Sequence, residues 1–314
     1  MYPFRLLKTA IANGFLHAVI RLTPPVYAKK YSKTTGIVTK IGHKYITMYV
    51  LMMKTFVFFS KLSLATCVID DGTLTKHDRR VLAKHVRNIR IINASAGLRA
   101  IKKIKTKYPN TYRYRMETHP DLFTHNTCVY DLTQLSGFKK FIILDADIIF
   151  FKKPTAIINW VHSKKELTYY MAFPSCYLYA TSGWGRIILQ IFATLWKSDI
   201  PVLFNDGIIC GYKHWFTLDL LERHTKTIYS YGLQHSWISL ILIWSGIFVT
   251  FSKNPKKPVK PLPAEHYGIL TVKTLQSRLK NAVFSYTCLH YIGPFKHLYL
   301  PFDAYKLFKS VLRA

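Results

Sequence analysis

Phe141-Ile142-Ile143-Leu144-Asp145-Ala146-Asp147-Ile148-Ile149-Phe150-Phe151-Lys152-Lys153-Pro154 is the stretch on which the reading of this chain turns. Four apolar residues, with Gly137 and two lysines before them and an acid after, predict a buried strand over 141–144. If the chain stays extended past the strand, Asp145 and Asp147 point to the same side. Two carboxylates that close repel unless a cation or strong donors offset them. Their oxygens suit Mn²⁺ or Mg²⁺, ions that keep coordination positions open for phosphate. The competing reading is a strand-end turn whose acids are solvated or paired to Lys152 and Lys153.

Working outward, the pattern is of strands separated by helices. Leu64–Ile69 predicts a second buried strand, ending in Asp70-Asp71-Gly72-Thr73. Helices are predicted over 45–60, 76–86 (capped by Thr73 or Thr75), 98–107 and 122–135, with a short strand at 89–92. This order predicts an α/β fold with a largely parallel sheet covered on both faces. Ligands of such sheets sit at the carboxyl ends of strands, where both acidic pairs fall. Residues 26–44 read as a basic, tyrosine-containing linker and 253–263 as a lysine- and proline-rich loop. Residues 2–22 predict an amphipathic helix with Phe4, Leu7, Ile11, Phe15, Ala18 and Leu22 on one side, begun near Pro3 and stopped by Pro24-Pro25. Docking on its own domain is the favoured role of that helix, and lying on a membrane surface is the other.

The composition narrows the classes. The 314 residues are 50% hydrophobic and 19% charged, enough for a large core and too apolar for disorder. Lys and Arg number 45 against 15 Asp and Glu, a net charge of +30. Such a surface attracts nucleic acid, anionic lipid or phosphate-rich small molecules, although plain compositional bias would produce it too. The five cysteines are odd in number and lack Cys-x-x-Cys spacing, which points away from zinc and disulfides and toward a reducing, cytoplasmic compartment. Charges among the first apolar residues break any signal-peptide core. The apolar core Trp237–Phe251 is short for a bilayer span and reads as buried helix and strand.

The segment 141–154 resembles the metal-binding segment of GT-A glycosyltransferases, in which an apolar strand delivers the Asp-x-Asp and a second apolar strand leads to a proline. Cys67–Thr75 looks like that family's second strand and the turn after it, where an acid contacts the nucleotide's base or ribose. Phe204-Asn205-Asp206-Gly207-Ile208-Ile209 resembles its Asn-small-Gly segment on the sugar and acceptor side. Leu233-Gln234 sits where many members carry Glu-Gln, and Leu262-Pro263 with Tyr267 is similar to a Leu-Pro…Tyr-Asn segment with Gly268 for the Asn. His290-Tyr291-Ile292-Gly293-Pro294-Phe295-Lys296 matches the His-x-x-Gly-x-x-Lys pattern of glycogenin-like, family-eight-type retaining enzymes, with His297-Leu298 replacing the usual Pro-Trp. The matches run in order over roughly residues 45–300.

The resemblance implies a Rossmann-like GT-A domain over 41–305, an N-terminal helix and linker over 1–40, and a tail over 306–314. It implies metal-dependent hexosyl transfer from a nucleotide-diphosphate sugar to a glycan, lipid-linked or protein acceptor. Asp145, Asp147 and His290 would hold Mn²⁺ or Mg²⁺, and Asp70, Asp71, Asp145, Asn205, Gly207, Gly293 and Lys296 would contact the donor. Imidazole is an acceptable Mn²⁺ ligand, glycine lets backbone approach a diphosphate, and Lys296 is a mobile charge for a leaving phosphate. Retention would put Gln234 beside the sugar, opposite the leaving group; inversion would need a carboxylate base, for which Asp206 is the candidate. The charge of +30 suggests an anionic membrane face as a partner.

Two rivals and a variant stand beside this reading. Asp70-Asp71-Gly72-Thr73 is similar to the nucleophile loop of haloacid-dehalogenase-type phosphatases, but the nucleophile's position is Ile69. A nucleic-acid binder would use the charge and runs such as Lys105–Arg115, yet no helix-turn-helix, zinc finger or RNP signature accompanies them. The missing Glu before Gln234 also leaves room for a catalytically silent GT-A domain.

Overall fold

The computed structural model describes residues 14–31, 33–117, 123–172, 183–236, 238–270, 282–293 and 295–311. Pro3, Phe4, Leu7, Ile11, Leu122, Trp237 and Pro294 of the sequence reading lie outside them. The strands are β1 (Val26–Tyr27), β2 (Thr35–Ile41), β3 (Ala65–Asp70), β4 (Val86–Arg87), β5 (Arg90–Ile92), β6 (Lys140–Leu144), β7 (Ile148–Phe150), β8 (Thr168–Ala172), β9 (Phe204–Tyr212), β10 (Val259–Pro261), β11 (Tyr267–Ile269) and β12 (Cys288–His290). The main sheet runs β10-β8-β9-β6-β2-β3-β5. Neighbouring strands are parallel except β9, which is antiparallel to both β8 and β6. A smaller sheet, β11-β12-β7, stands beside it.

The predicted strands over 141–144 and 64–69 appear as β6 and β3, and every residue of β3 is buried. Both are covered on two faces, hence apolar residues that run on without strict alternation, with Thr66 the polar exception inside β3. The predicted cap is present. Thr75 accepts from Asp78 N at 3.1 Å, and Asp78 returns to Thr75 N at 2.8 Å, starting the helix Lys76–His85.

Three readings change. The stretch taken as a linker contains β2, a central strand paired to β3 and β6. Thr39 and Lys40 broke its apolar pattern, but Lys40 turns inward to Asp131 at 3.3 Å. The run from Trp237 forms one helix, Ile238–Ser252, buried on nearly every side; Trp244 and Phe248 pack against Phe216, and Phe204 and Tyr170 pack against Phe248. No described helix is long and apolar enough to cross a membrane. Residues 306–311, read as tail, continue the helix Leu300–Val311, in which Leu307 is buried.

Residues 14–22 are helical and docked, with Leu16, Val19 and Ile20 buried. Lys54 explains the anchorage. From within the helix Ile46–Ser60 its ammonium donates to the carbonyls of Ile20, Thr23 and Pro24 at 3.1, 2.6 and 2.9 Å. The lysine that interrupts an apolar run is therefore a cap on a neighbouring helix's orphan carbonyls. Burial lowers its pKa to about 8.

His224 gives the fold an acid-sensitive point. It lies in the helix Leu218–Ser230, in the space left by Gly246 and edge-on to Trp196, and burial, then Arg223, pushes its pKa down from 6.5 to about 4. An unfolded chain takes up this proton near pH 6.5 and the folded chain only near 4. Stability from this group is thus full above pH 6.5 and is lost as pH falls toward 4. The expected loss is on the order of 3 kcal/mol. Urea unfolding of wild type and His224→Phe at pH 7.5 and 4.5 checks this; equal pH dependence in the two proteins would assign the effect elsewhere.

Candidate active site

The carboxyl ends of β2, β3, β6 and β8 and the start of β9 lie along one edge of the main sheet. β6 delivers Asp145 to that edge, and a two-residue turn leads to Asp147 and β7. The amide of Asp145 donates to the carbonyl of Gly207 at 2.9 Å, so the acidic turn is tied to the first residues of β9. β7 then pairs antiparallel with β12, placing Ile148 opposite His290, and the amide of Tyr291 donates to the carbonyl of Asp147 at 2.9 Å. Three segments far apart in sequence meet through backbone pairing.

Their side chains close on one point. His290 Nε2 lies 3.1 Å from Asp147 Oδ1 and 3.4 Å from Asp145 Oδ2. One ligand atom from each of Asp145, Asp147 and His290 falls within 4.8 Å of the others. Lys296 Nζ donates to the second oxygen of Asp147 at 3.0 Å and sits 4.7 Å over the ring of Tyr45. Gly293, with φ +56°, makes the left-handed turn between His290 and Lys296, and its α-carbon faces open space. On the far side of the imidazole, Nδ1 meets Asn205 Oδ1 at 3.0 Å. That oxygen also accepts from the amide of Gly207. An oxygen that accepts at Nδ1 leaves the proton there and turns Nε2 toward the acids.

The charges are strongly coupled. Burial alone would raise the Asp147 carboxyl, but the charge and hydrogen bond of His290, then those of Lys296, hold it near 2. Burial disfavours the His290 imidazolium, yet Asp147 and then Asp145 outweigh it and lift the ring to about 10. Lys296 is raised as well, Asp147 overcoming its burial. Asp206 moves the other way: burial, then the charge of Asp145, pushes its carboxyl up to about 7 against the pull of His290. Two carboxylates, an imidazole and a half-exposed opening at Asp145 are a donor set that fits a hard divalent ion. Such an ion would take the place of the imidazolium proton.

The other residues singled out in the sequence fall around this group. Asp70 ends β3, two strands from β6 and so about 10 Å across the sheet edge. Its carboxylate is already engaged, accepting from the amides of Gly72 at 2.7 Å and Leu74 at 3.2 Å and pairing with Arg79. Asp71 accepts from Thr73 through both amide and hydroxyl, at 2.9 and 2.7 Å. Gln234 lies in the turn after the helix Leu218–Ser230, and its Oε1 is buried with no hydrogen-bond partner among the described residues. No described hydrogen bond or ion pair joins Asp70, Asp71 or Gln234 to the Asp145–Asp147–His290 group. Sequence reasoning missed Tyr45, the platform under Lys296, and the pair Tyr291–Asp303, whose 2.8 Å hydrogen bond fixes β12 to the C-terminal helix. Neither had a spacing signal.

Solved structures share this arrangement of strands. An LgtC variant, with an active-site glutamine replaced by glutamate, aligns at a TM-score of 0.56 and 12% identity over 88% of this chain and 95% of that one. The chain has the GT-A fold. The galactosyltransferase LgtC with donor and acceptor sugar analogues aligns with this GT-A chain at 0.50 and 14% identity over 88% and 95%. Mouse xyloside xylosyltransferase 1 aligns at 0.50 and 7% identity over 84% and 97%. No family model and no curated protein matches the sequence.

Proposed function

We propose that this GT-A chain is a glycosyltransferase that moves a hexose from a nucleotide-diphosphate sugar to an acceptor hydroxyl, with a divalent metal and with retention of anomeric configuration. The observation that carries the reading is the meeting of Asp145, Asp147, His290 and Lys296 at the carboxyl edge of the sheet. Asp145, Asp147 and His290 would hold Mn²⁺ or Mg²⁺, which supplies Lewis-acid neutralisation of a diphosphate when bound. Lys296 holds a second positive charge beside Asp147 for the leaving phosphate. The open backbone at Gly293 leaves room for phosphate oxygens to approach. The 10 Å or so between Asp145 and the Asp70–Asp71 turn suits the length of a nucleoside diphosphate, with Asp71 on the nucleoside side and Asp70 shaping the turn.

Asn205 and Gly207 seat His290 and border the sugar side. An active-site glutamine is named for one similar chain, and Gln234, whose side-chain carbonyl has no partner among the described residues, is our candidate for that role. A second reading, inversion, rests on Asp206: a carboxyl near 7 is matched to accept a hydroxyl proton at neutral pH. The acceptor is a glycan, protein or lipid-linked hydroxyl, and the charge of +30 favours one held at an anionic membrane.

Calorimetric binding of a panel of nucleotide-sugars, with and without Mn²⁺, tests the reading. Metal-dependent binding of at least one donor is expected, and its absence for all of them would sink the proposal. The anomeric configuration of the product then separates retention from inversion.

A further inference from the structure

The helix Gly183–Trp196 connects β8 to β9, and the chain leaves and rejoins the sheet at the edge that carries Asn205 and Gly207. Its residues are apolar almost all round, with Arg186, Gln190 and Thr194 as the main exceptions and no acid. Such a helix is expected to be buried on every side. Leu189, Phe192 and Ala193 do pack inward. Trp184, Ile187, Ile191 and Leu195, spaced by three and four residues, form a single outward stripe that is 75, 48, 50 and 59% exposed. Tyr231, 58% exposed, lies against Phe192 beside the helix at a ring distance of 5.4 Å. No other described helix turns four large apolar side chains outward in one row.

Charge selects the cover. A second copy of the chain would bring +30 against +30, which opposes self-association through this face. An anionic bilayer offers apolar depth for the tryptophan and aliphatic side chains and negative headgroups for the cations around them. Lys197 follows the helix directly and is exposed, as are Arg223 and Lys226 on the adjoining helix, whose His224 touches Trp196. Asp199 is the single acid between residues 183 and 205. The N-terminal helix does not compete for this role through its described residues, because Leu16, Val19 and Ile20 are already spent on the core.

We propose that the outer face of the helix Gly183–Trp196 docks on an anionic membrane, with Trp184, Ile187, Ile191 and Leu195 entering the boundary between headgroups and acyl chains. The docking stands on the face itself; only its consequence, delivery of a membrane-borne acceptor to the neighbouring site edge, rests on the glycosyltransferase reading.

Flotation of the full chain with phosphatidylcholine vesicles, with and without about a third phosphatidylglycerol, tests the docking. Wild type is expected to float with the anionic vesicles only, and less so at high salt. Replacing Trp184, Ile187, Ile191 and Leu195 together by serine leaves net charge unchanged and is expected to weaken that binding roughly tenfold or more. Asp145→Asn is expected to float like wild type, so a failed catalytic reading would leave this result standing. Brominated lipid is expected to quench wild-type tryptophan fluorescence, with the quenching largely lost in Trp184→Phe. Any of three results overturns the proposal: a wild type that stays unbound, a serine variant that floats as well as wild type, or quenching that survives Trp184→Phe unchanged.

Discussion

Asp147→Ala is expected to abolish metal-dependent donor binding and to lower transfer by about a thousandfold or more. Asp147 is the hub of the site: one oxygen faces His290 at 3.1 Å and the other Lys296 at 3.0 Å, in surroundings that bury all three groups at least in part. Alanine removes a ligand and strands two cations together. Breaking a buried pair by deleting one partner costs about 3–5 kcal/mol, so the variant is also expected to melt earlier. Function and stability are separated by Asp145→Asn. The side chain of Asp145 is 42% exposed, and its pairing with His290 is longer, at 3.4 Å. With Asp145 solvated and His290 keeping its pairing with Asp147, this variant should lose much less stability than Asp147→Ala while losing metal-dependent binding. Thermal melts and Mn²⁺ titrations of the two variants provide the check. Undiminished Mn²⁺-dependent donor binding in Asp145→Asn would remove that residue from the ligand set.

Gly207→Ala is expected to disrupt the site without touching a ligand. A β-carbon at 207 would collide with the His290 ring, lying 2.7 Å from Cε1 and 2.9 Å from Asn205 Oδ1. Neither side can give way easily. Gly207 lies where β9 bulges away from β8, but its carbonyl is held by the amide of Asp145 at 2.9 Å, and β12 lies between β11 and β7. The ring must therefore swing off Asn205, losing the hydrogen bond that aims Nε2. Displacing such an orienting partner typically lowers metal affinity about ten- to a hundredfold. Overpacking adds about 1–3 kcal/mol of destabilisation. A Mn²⁺ titration of the folded variant measures the first effect and urea unfolding the second; affinity equal to wild type would mean that the seating of His290 does not matter.

These two residues also mark how far the sequence could be read. Asp145 and Asp147 were legible because an unbroken apolar strand presents them. Gly207 and His290 were legible only as motif fragments, and what joins them was not. Their contact depends on β7 and β12, strands of three residues each, too short to leave a periodic pattern. β2 was hidden for another reason. Lys40, buried beside Asp131, and Thr39 made a central strand look like linker, because an ion pair buried by tertiary contacts resembles surface polarity in one dimension. Lys54 misled in the same way. Asp70 illustrates the opposite limit: its position at a strand end was correctly read, but its oxygens are spent on Gly72, Leu74 and Arg79, which only coordinates reveal. The exposed stripe of the helix Gly183–Trp196 carried no signal at all, since an apolar helix reads as core until its surroundings are known.

The pairing of β7 with β12 has a bearing on how the protein is made. His290 and Lys296 follow Asp147 by 143 and 149 residues, with Lys296 in the short helix Phe295–Leu298 and His290 on β12, the last of the described strands. Until the ribosome has released that strand, Asp145 and Asp147 face each other without their two cationic partners, on a sheet whose other strands are already synthesised. Contacts of such long sequence separation form late and slowly. A nascent chain that stops before β12 would thus display the acidic pair without the imidazole and the ammonium that meet it in the folded molecule.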